Sequence, residues 1–411
     1  MGDCLAFRGI RYAEAERFGP AHVVPLRDAD PRRPRGPMPP QSPSRFDILM
    51  GAPAPLRQAE DCQVLSVYTP SQVGKRPVLV WFHGGAFITG GGELPWYDGQ
   101  LLAVEQDVVV VTVTARLGVL GHLLTDGADH PSPATTDHMA AVEWVHRHIG
   151  EFGGDPDNVT LFGQSAGGFA IDVMMRWGLG PHVKGAILQS AFLSQSDIIY
   201  HRSDVERLSV DFSRLLASDV RSATVDRLLE AQGEYARQAG RTEIWAPIRP
   251  AQSAPIGIPV IAGRTQHDAF PFLLIGSGRS APDPGDFGRF GTAMDQMHAS
   301  QIDEGNRQLA ARATAHAQNA WLYELDWHVD RAGWGSPHCI DLPFLLGDHQ
   351  AWKAAPMLRG VHWAALERQG RSLRTAWASF ARERMPGNDW VPFDPDSPQC
   401  ITRLEGACRA A

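Results

Sequence analysis

The stretch that most constrains the fold of this chain is residues 163–168, which read G-Q-S-A-G-G. Residues 158–162 before it form a short apolar, β-prone run, and residues 168–177 after it have helical spacing. Ser165 is therefore predicted to lie on a tight turn between a strand and a helix, with its oxygen clear of the backbone. A serine held in this way is a candidate nucleophile. The alternative is an ordinary glycine-rich turn between a strand and a helix.

Composition and charge narrow the class of protein. The chain has 411 residues and a formal net charge of −8, which gives enough length for one large α/β core or two smaller ones. Its basic cluster at residues 31–35 is rich in proline, so we expect a solvated loop rather than a nucleic-acid surface. The longest apolar run, residues 108–113, is too short to span a bilayer, and residues 1–6 lack a signal-peptide pattern. We therefore expect neither a nucleic-acid partner nor a membrane.

Cysteine usage bears on the compartment. The chain has five cysteines, too few for a disulfide framework, and their spacings fit no zinc site. Free thiols in a reducing compartment are therefore expected, which predicts a cytoplasmic protein.

Strands and helices are predicted to alternate along the chain. We expect strands at 64–68, 77–82, 108–114, 183–188, 258–262 and 320–325, and helices at 137–149, 302–317 and 361–384. This alternation predicts an α/β protein with a mostly parallel sheet and helices on both faces. With neither a repeat nor a linker, residues 1–411 are predicted to form a single domain. A helical insertion at about 195–255 is expected to cover the site, and a loop is expected at 276–292.

A serine nucleophile needs a base, an acid that orients the base, and N–H donors for the oxyanion. In the predicted fold the order along the chain is serine, acid, histidine. Among sixteen histidines, His338 is preferred because it lies late in the chain, in a loop after a strand. Asp268 follows a strand and its tight turn, where the acid belongs. The alternative for each is an ordinary residue of a surface loop.

The donors are expected from two places. Gly84 and Gly85 follow the strand at 77–82, and their backbone can approach a substrate closely. Together with the N–H of Ala166 they would make three donors, each able to stabilise a transition state by about 3–4 kcal/mol. The alternative is a glycine turn after a strand, but the two motifs in this order are more specific than either alone.

These motifs resemble those of the type-B carboxylesterases, the branch of the α/β-hydrolase fold that includes bacterial para-nitrobenzyl esterases and cholinesterases. The resemblance covers nearly the whole chain. Residues 152–168 are similar to the family's serine signature, and residues 60–70 are similar to its second signature.

The resemblance also implies roles for single residues. Residues 338–344 resemble the family stretch H-x-x-E-L-P-F, which implies that His338 is the base. Residues 263–269 resemble a G-T-T-x-D-E loop, which places the acid at Asp268, one methylene shorter than the usual glutamate. Ser190 stands in a stretch similar to Q-S-G, whose serine supports the site from behind the catalytic residues.

One departure from the family bears on the compartment. Pro39 and Pro40 stand near the position where many relatives carry the cysteine that pairs with the equivalent of Cys62. That disulfide is therefore expected to be missing, in keeping with a cytoplasmic protein.

The sequence thus predicts a serine hydrolase that cleaves small carboxylic esters through an acyl-enzyme, with no need for a metal or organic cofactor. Three alternative enzyme activities are acyl transfer to an alcohol or amine, hydrolysis of a lactone, carbamate or amide, and lipase action. The lipase alternative has little support, because the sequence has no evident basic amphipathic stretch that could bind a lipid surface. A further alternative is a non-catalytic binding protein, although such relatives typically lose the serine or histidine.

Substrate preference is not readable from the sequence. We expect the pocket walls to come from the helical insertion, the 276–292 loop and the residues after His338. Five phenylalanines near the motifs are candidates either for an apolar acyl pocket or for the core: Phe87, Phe169, Phe192, Phe270 and Phe272.

Overall fold

The computed structural model describes residues 4–125, 131–194, 201–240, 245–328, 333–397 and 401–407. Within these ranges the strands are β1 (Leu5–Arg11), β2 (Ala13–Glu14), β3 (His22–Val23), β4 (Val64–Thr69), β5 (Arg76–Phe82), β6 (Val109–Val113), β7 (Gly154–Gln164), β8 (Val183–Gln189), β9 (Val260–Thr265), β10 (Ala320–His328) and β11 (Thr402–Ala407).

One large sheet organises the described part of the chain. Its nine strands lie in the order β1-β4-β6-β5-β7-β8-β9-β10-β11, while β2 and β3 form a separate pair. From β6 to β11 all neighbours run parallel, and β1 and β4 form an antiparallel edge. All five residues of β6, which read V-V-V-T-V, are buried, as expected for a strand covered on both faces. The prediction of a mostly parallel α/β sheet is confirmed.

Helices lie between and around these strands. They are α1 (Asp47–Met50), α2 (Gln100–Gln106), α3 (Gly118–His122), α4 (Pro133–His148), α5 (Ala166–Trp177), α6 (Arg202–Leu216), α7 (Val225–Ala239), α8 (Phe270–Gly276), α9 (Asp286–Met297), α10 (Glu304–Thr314), α11 (Leu342–Leu345), α12 (His349–Trp352) and α13 (Trp363–Glu383). A π-helical turn, His298–Asp303, joins α9 to α10.

The core is divided between the two faces of the sheet, because successive side chains of a strand point to opposite sides. In β5, Val78 and Val80 pack in the cluster that contains Trp144 of α4. Leu79, between them, packs in the cluster that contains Trp377 of α13. Two apolar cores therefore hold the sheet between layers of helices, and the strand ends are fixed in register.

The loop expected at 276–292 is wrong for its second part, because α9 begins at Asp286. Phe287 and Phe290 of this helix are partly buried against the core, and Met294 is fully buried in it. The carboxylate of Asp286 accepts hydrogen bonds from the side chain of Arg279 and from a backbone N–H. The apolar face of the helix therefore outweighs the helix-weakening effect of its glycines.

Helices α6 and α7 occupy the described part of the stretch at 195–255, between β8 and β9. Gln232 of α7 accepts a hydrogen bond from the N–H of Val119 at 2.8 Å, and Ser209 of α6 accepts one from the N–H of Leu124 at 3.0 Å. Helix α7 is thus anchored to α3, and helix α6 is anchored to Leu124 just after α3. The covering role of this insertion, and the organisation of the chain as one domain, stay predictions.

Within the described residues, each helix is too short or too polar to span a bilayer.

Candidate active site

Ser165 lies on a sharp turn between β7 and α5, with φ 57° and ψ −124°. This backbone conformation is rare for a residue with a side chain and marks local strain. Its N–H donates to the carbonyl of Gln189 at 2.8 Å, which ties the turn to the end of β8. A side-chain carbon on Gly167 would collide with the carbonyl oxygen of Phe82. The glycines of the motif are therefore needed for close packing of the turn, as the sequence predicts.

His338 and Asp268 meet behind this turn. The Nδ1 atom of His338 lies 2.7 Å from Oδ1 of Asp268, and both side chains are almost wholly buried. Because a carboxylate only accepts, Nδ1 carries the proton in this contact, and Nε2 presents the lone pair of the neutral imidazole. The two residues are therefore paired in the geometry that a base and its orienting acid have in a catalytic triad.

Three donors hold the second oxygen of Asp268. Oδ2 accepts from the hydroxyl of Ser190 at 2.5 Å, and from the N–H and the hydroxyl of Thr265 at 3.1 Å each. Ser190 thus touches the acid, as the resemblance implied. Thr265 was not singled out from the sequence, although it stands three residues before Asp268 at the end of β9, where a turn-closing side chain is common.

The loop that carries His338 is fixed from both sides. The N–H of Ser336 donates to Nδ1 of His267 at 3.0 Å, and the hydroxyl of Ser336 donates to the carbonyl of Leu325 at 2.8 Å. His267, the neighbour of Asp268, therefore holds the loop that carries His338. It is not a rival candidate for the base. Three aromatic rings lie within 6 Å of the imidazole of His338, measured between ring centroids, namely Phe46, Phe192 and Phe272.

Sequence reasoning missed Gln164, the residue before the serine. Its Nε2 lies 2.9 Å from Nε2 of His338 and 3.4 Å from the sulfur of Cys339. Within the described residues, the base nitrogen of His338 accepts from this amide, and Ser165 is not among its partners. Such hydrogen bonds of a nucleophile are often unformed before substrate binds. The signal available in the sequence was only that Gln164 adjoins Ser165.

The charges of this group are set by competing effects. Burial alone would lower the pKa of His338, but the neighbouring Cys339 sulfur and the Asp268 carboxylate outweigh it and raise the pKa. Burial would likewise raise the pKa of Asp268, but His338 and the hydroxyl of Ser190 hold it well below its usual range. The carboxylate is therefore ionised at neutral pH and favours the imidazolium.

The expected oxyanion donors lie beside the serine. Gly84 and Gly85 line the same cavity as Ser165, and a side-chain carbon on Gly84 would lie 3.1 Å from Cβ of Ser165. The N–H of Ala166 opens helix α5 and has no partner inside the helix. His83 is buried, and its Nδ1 lies 2.7 Å from the carbonyl of Gly84, which fits a structural role in holding this turn.

A second buried acid lies near His338. Asp341 is 1% exposed, and its Oδ2 accepts from Nε2 of Gln189 at 2.5 Å. Its Oδ1 has no partner among the described residues. Burial raises the pKa of Asp341 to about 6. The sequence did hold a signal for this residue, since Asp341 stands at the acidic position of the H-x-x-E stretch that begins at His338.

The cavity at Ser165 has two lobes, of about 490 Å³ and about 330 Å³. More than half of the residues that line the larger lobe come from 38–58. The expectation that the walls come from the insertion, from 276–292 and from beyond His338 is therefore largely wrong. From those stretches only Trp245, Gly276 and Cys339 line either lobe within the described residues.

The segment 38–58 is a closed loop. The N–H of Met38 donates to the carbonyl of Arg57 at 2.8 Å, and the N–H of Ala59 donates to the carbonyl of Met38 at 2.9 Å. Sequence reasoning missed its role because its prolines show no periodicity, and its meeting with the site depends on the path of the chain.

The smaller lobe is apolar. Four of the five phenylalanines named from the sequence line it, namely Phe87, Phe169, Phe192 and Phe272. Phe270 does not, because it is fully buried in a core cluster.

A parallel sheet that presents a serine on a sharp turn after a central strand is the architecture of the α/β hydrolases. Two solved structures share it. A PNB esterase superposes with a TM-score of 0.80 at 24% identity, covering 95% of this chain and 90% of that one. A Geobacillus stearothermophilus carboxylesterase superposes with a TM-score of 0.77 at 24% identity, covering 96% of this chain and 92% of that one.

The chain belongs to the carboxylesterase family, whose sequence profile matches residues 2–244. It is 34% identical to the probable N-octanoylanthranilate hydrolase of Rhodococcus erythropolis over 96% of this chain and 93% of that protein. It is 27% identical to the para-nitrobenzyl esterase of Bacillus subtilis over 82% of this chain and 76% of that protein. The predictions of the family and of a carboxylic ester hydrolase are confirmed.

Proposed function

We propose that Ser165, His338 and Asp268 form a catalytic triad that hydrolyses small carboxylic esters through an acyl-enzyme. The observation that carries this proposal is the 2.7 Å contact between His338 and Asp268, set behind a strained serine that opens into a cavity. A buried imidazole with an ionised partner on one nitrogen and a lone pair on the other is suited to general base catalysis.

In the proposed reaction the ester carbonyl enters beside Ser165, and the serine hydroxyl takes the place of the Gln164 amide at Nε2 of His338. His338 accepts the proton of the serine hydroxyl as Oγ attacks the carbonyl carbon, and Asp268 stabilises the imidazolium. The N–H groups of Gly84, Gly85 and Ala166 bind the oxyanion.

The imidazolium then gives its proton to the leaving alcohol, and the acyl-enzyme remains. Water attacks the acyl carbon with His338 again as base, and the acid is released. No step in this sequence calls for a metal or an organic cofactor. We assign the acyl group to the smaller apolar lobe, because its phenylalanines offer no partner for a polar leaving group.

One comparison favours a second candidate. A relative that aligns with almost the whole chain is named a probable N-octanoylanthranilate hydrolase, a name that describes cleavage of an N-acyl aromatic amine. The same triad can attack an amide, and an eight-carbon acyl chain suits an apolar lobe of about 330 Å³. We therefore propose N-acyl aromatic amines as the alternative substrate class, ahead of acyl transfer.

Three further features stay proposals. We propose that the chain forms one hydrolase domain, that the helical stretch at 195–255 acts as a reduced cap, and that the protein is cytoplasmic. The last rests on the free thiols of Cys4, Cys62 and Cys339 and on the reducing compartment they favour.

The test is turnover of p-nitrophenyl esters and of an N-octanoylated aromatic amine by the natural chain and by Ser165→Ala. We expect a loss of about 10⁴-fold or more in kcat, and loss of the covalent fluorophosphonate adduct seen by intact mass. Ser372→Ala, at an exposed position on α13, is the matched control and should keep both. Retained turnover in Ser165→Ala would contradict the nucleophile assignment, and a preference for the amide would establish the second candidate.

A further inference from the structure

A cluster of metal-binding side chains lies away from Ser165. His146 stands in the last turn of α4, Asp157 in the first part of β7, and His182 directly before β8. One ligand atom from each residue lies within 4.8 Å of the others. This is the one such group within the described residues, and neither the family resemblance nor the proposed reaction accounts for it.

The first imidazole is held with a nitrogen available. Nδ1 of His146 lies 3.3 Å from the carbonyl oxygen of Pro156. A carbonyl oxygen only accepts, so Nδ1 carries the proton and Nε2 presents its lone pair. Histidine ligands of metals are commonly fixed in this way, with the other nitrogen donating to a backbone carbonyl.

The second imidazole lies against the first. The ring centroids of His146 and His182 are 3.4 Å apart, and the ring planes differ by 13°. Two charged imidazolium rings would repel each other strongly in this stack, so the arrangement favours a pair with at least one neutral ring. Neutral imidazole is the form that binds metal ions.

The charges that face the pair favour a cation on balance. The carboxylates of Asp157 and Glu143 lie on this side, whereas Lys184 opposes them. The ammonium group of Lys184 is directed to the carbonyl of Pro181 at 2.8 Å. Helix α4 ends at His148, and the end of a helix carries a partial negative charge.

From this geometry we propose that His146, His182 and Asp157 form a binding site for a transition-metal ion, with Zn²⁺ as the physiological ion most suited to it. Two imidazoles and one carboxylate are a ligand set that zinc accepts, with water in the fourth position. Ligands of a tetrahedral zinc ion lie about 3.3 Å apart at the usual bond lengths of about 2.0–2.1 Å. The present spacing therefore closes by small rotations of partly exposed side chains.

The proposed site would act as a clamp. It joins the end of α4, the start of β7 and the approach to β8, which are three separate segments of the chain. Asp157 precedes Ser165 by eight positions, seven of them in β7, so the two lie about 26 Å apart along an extended strand. We therefore expect bound metal to stabilise the fold and to leave ester turnover unchanged. The proposal does not rest on the proposed function.

The experiment uses tag-free full-length protein stripped of metal with a chelator. Calorimetric titration with Zn²⁺ should show one ion per chain, and Co²⁺ should give the visible absorption of a nitrogen- and oxygen-ligated tetrahedral site. Thermal unfolding should move to higher temperature as Zn²⁺ rises above its Kd. Binding should weaken as the pH falls, because protons compete with the metal ion for the imidazole nitrogens.

His182→Ala should weaken zinc binding by about 100-fold, as expected when one ligand is lost, and Asp157→Asn should weaken it less. His148→Ala, on the same helix two residues from His146, is the matched control and should bind as the natural chain does. His182→Gln serves if the alanine variant unfolds. Three outcomes would each overturn the proposal. They are zinc binding unchanged in His182→Ala, zinc binding weaker than millimolar in the natural chain, and zinc-dependent stabilisation retained in both His182→Ala and Asp157→Asn.

Discussion

Asp268 and Asp341 are both buried beside His338, yet their partners drive their charges in opposite directions. Two hydroxyls and a backbone N–H surround one oxygen of Asp268, and the imidazole of His338 covers the other. Asp341 receives one amide donor and keeps a buried oxygen without a partner among the described residues. The pKa of Asp268 falls well below its usual range, whereas burial raises that of Asp341 to about 6.

This comparison shows that burial alone does not decide the charge of a carboxyl group. The charge of a neighbour such as His338 and the donors aimed at the oxygens decide it, because together they offset the hydration that burial removes. A carboxylate that stays ionised can stabilise an imidazolium. One with a pKa of about 6 loses its negative charge as the pH falls through that value. Asp268, in contact with His338, therefore keeps its charge on both sides of pH 6, whereas Asp341 does not.

The largest expected effect comes from removing the charge of Asp268. Asp268→Asn keeps the shape but favours the wrong tautomer of His338, so we expect kcat/KM for an ester to fall by about 10⁴-fold. The pKa of His338 should also fall, because the carboxylate that raises it is lost. The pH at which the residual activity is half-maximal on the acid side should therefore be lower than in the natural chain.

Steady-state kinetics over a pH series measures both effects. Asp268→Glu restores the charge with the side chain usual in the resembling family, and we expect it to retain far more activity than Asp268→Asn. Equal activity in Asp268→Glu and Asp268→Asn would contradict the contrast with Asp341, because the negative charge of Asp268 would then not be needed for activity.

An intermediate effect is expected from the donors. Ser190→Ala removes the 2.5 Å hydrogen bond to Oδ2 of Asp268 but leaves the two from Thr265. We expect kcat to fall about tenfold with KM unchanged, which corresponds to the loss of about 1.4 kcal/mol of stabilisation in a charged hydrogen bond. A change confined to KM would show that Ser190 shapes the pocket and does not support the acid.

The smallest effect on activity, and the clearest on stability, is expected at Asp341. Its pKa of about 6 in the folded chain lies above the ordinary aspartate value of about 3.9. The protonated form therefore stabilises the fold fully below about pH 4, and this contribution is lost as the pH rises through 6.

Asp341→Asn stays neutral throughout, so we expect its free energy of unfolding to exceed that of the natural chain by about 1–3 kcal/mol at pH 8 and to match it near pH 4. Denaturant unfolding at several pH values measures this, and Asp396→Asn at an exposed position is the control. Ester turnover should change less than twofold. A variant less stable at pH 8 would contradict the contrast between the two aspartates.

The proposed catalytic residues could be predicted from the sequence because two of them closely follow strands that local patterns reveal. Ser165 and Asp268 each follow an apolar strand closely, and the carboxyl ends of parallel strands meet at one edge of a sheet. His338 lies beyond a longer loop after its strand, and its position rested on the resemblance as well. Spacing and order along the chain narrowed the candidates for these three positions, and the resemblance selected His338 and Asp268 among them.

Contacts between distant loops were not predictable in the same way. Gln164 and Cys339 meet across 175 positions of sequence, and no local pattern encodes such a meeting. The glycines at 288 and 291 suggested a loop, yet α9 forms because its aromatic side chains find a core to pack against. Tertiary packing overrides local propensity in such segments.

The closed loop at 38–58 lines the larger lobe without belonging to the sheet, and its two ends are joined by backbone hydrogen bonds. Insertions and deletions between those ends leave the strand register untouched, provided that Phe46, which contacts His338, and the buried Leu49 and Met50 are kept. Mutations in this one loop, selected in nature or in the laboratory, can therefore change which substrates fit the larger lobe. A library confined to the exposed positions of this loop should yield new preferences for the leaving group at little loss of folded protein.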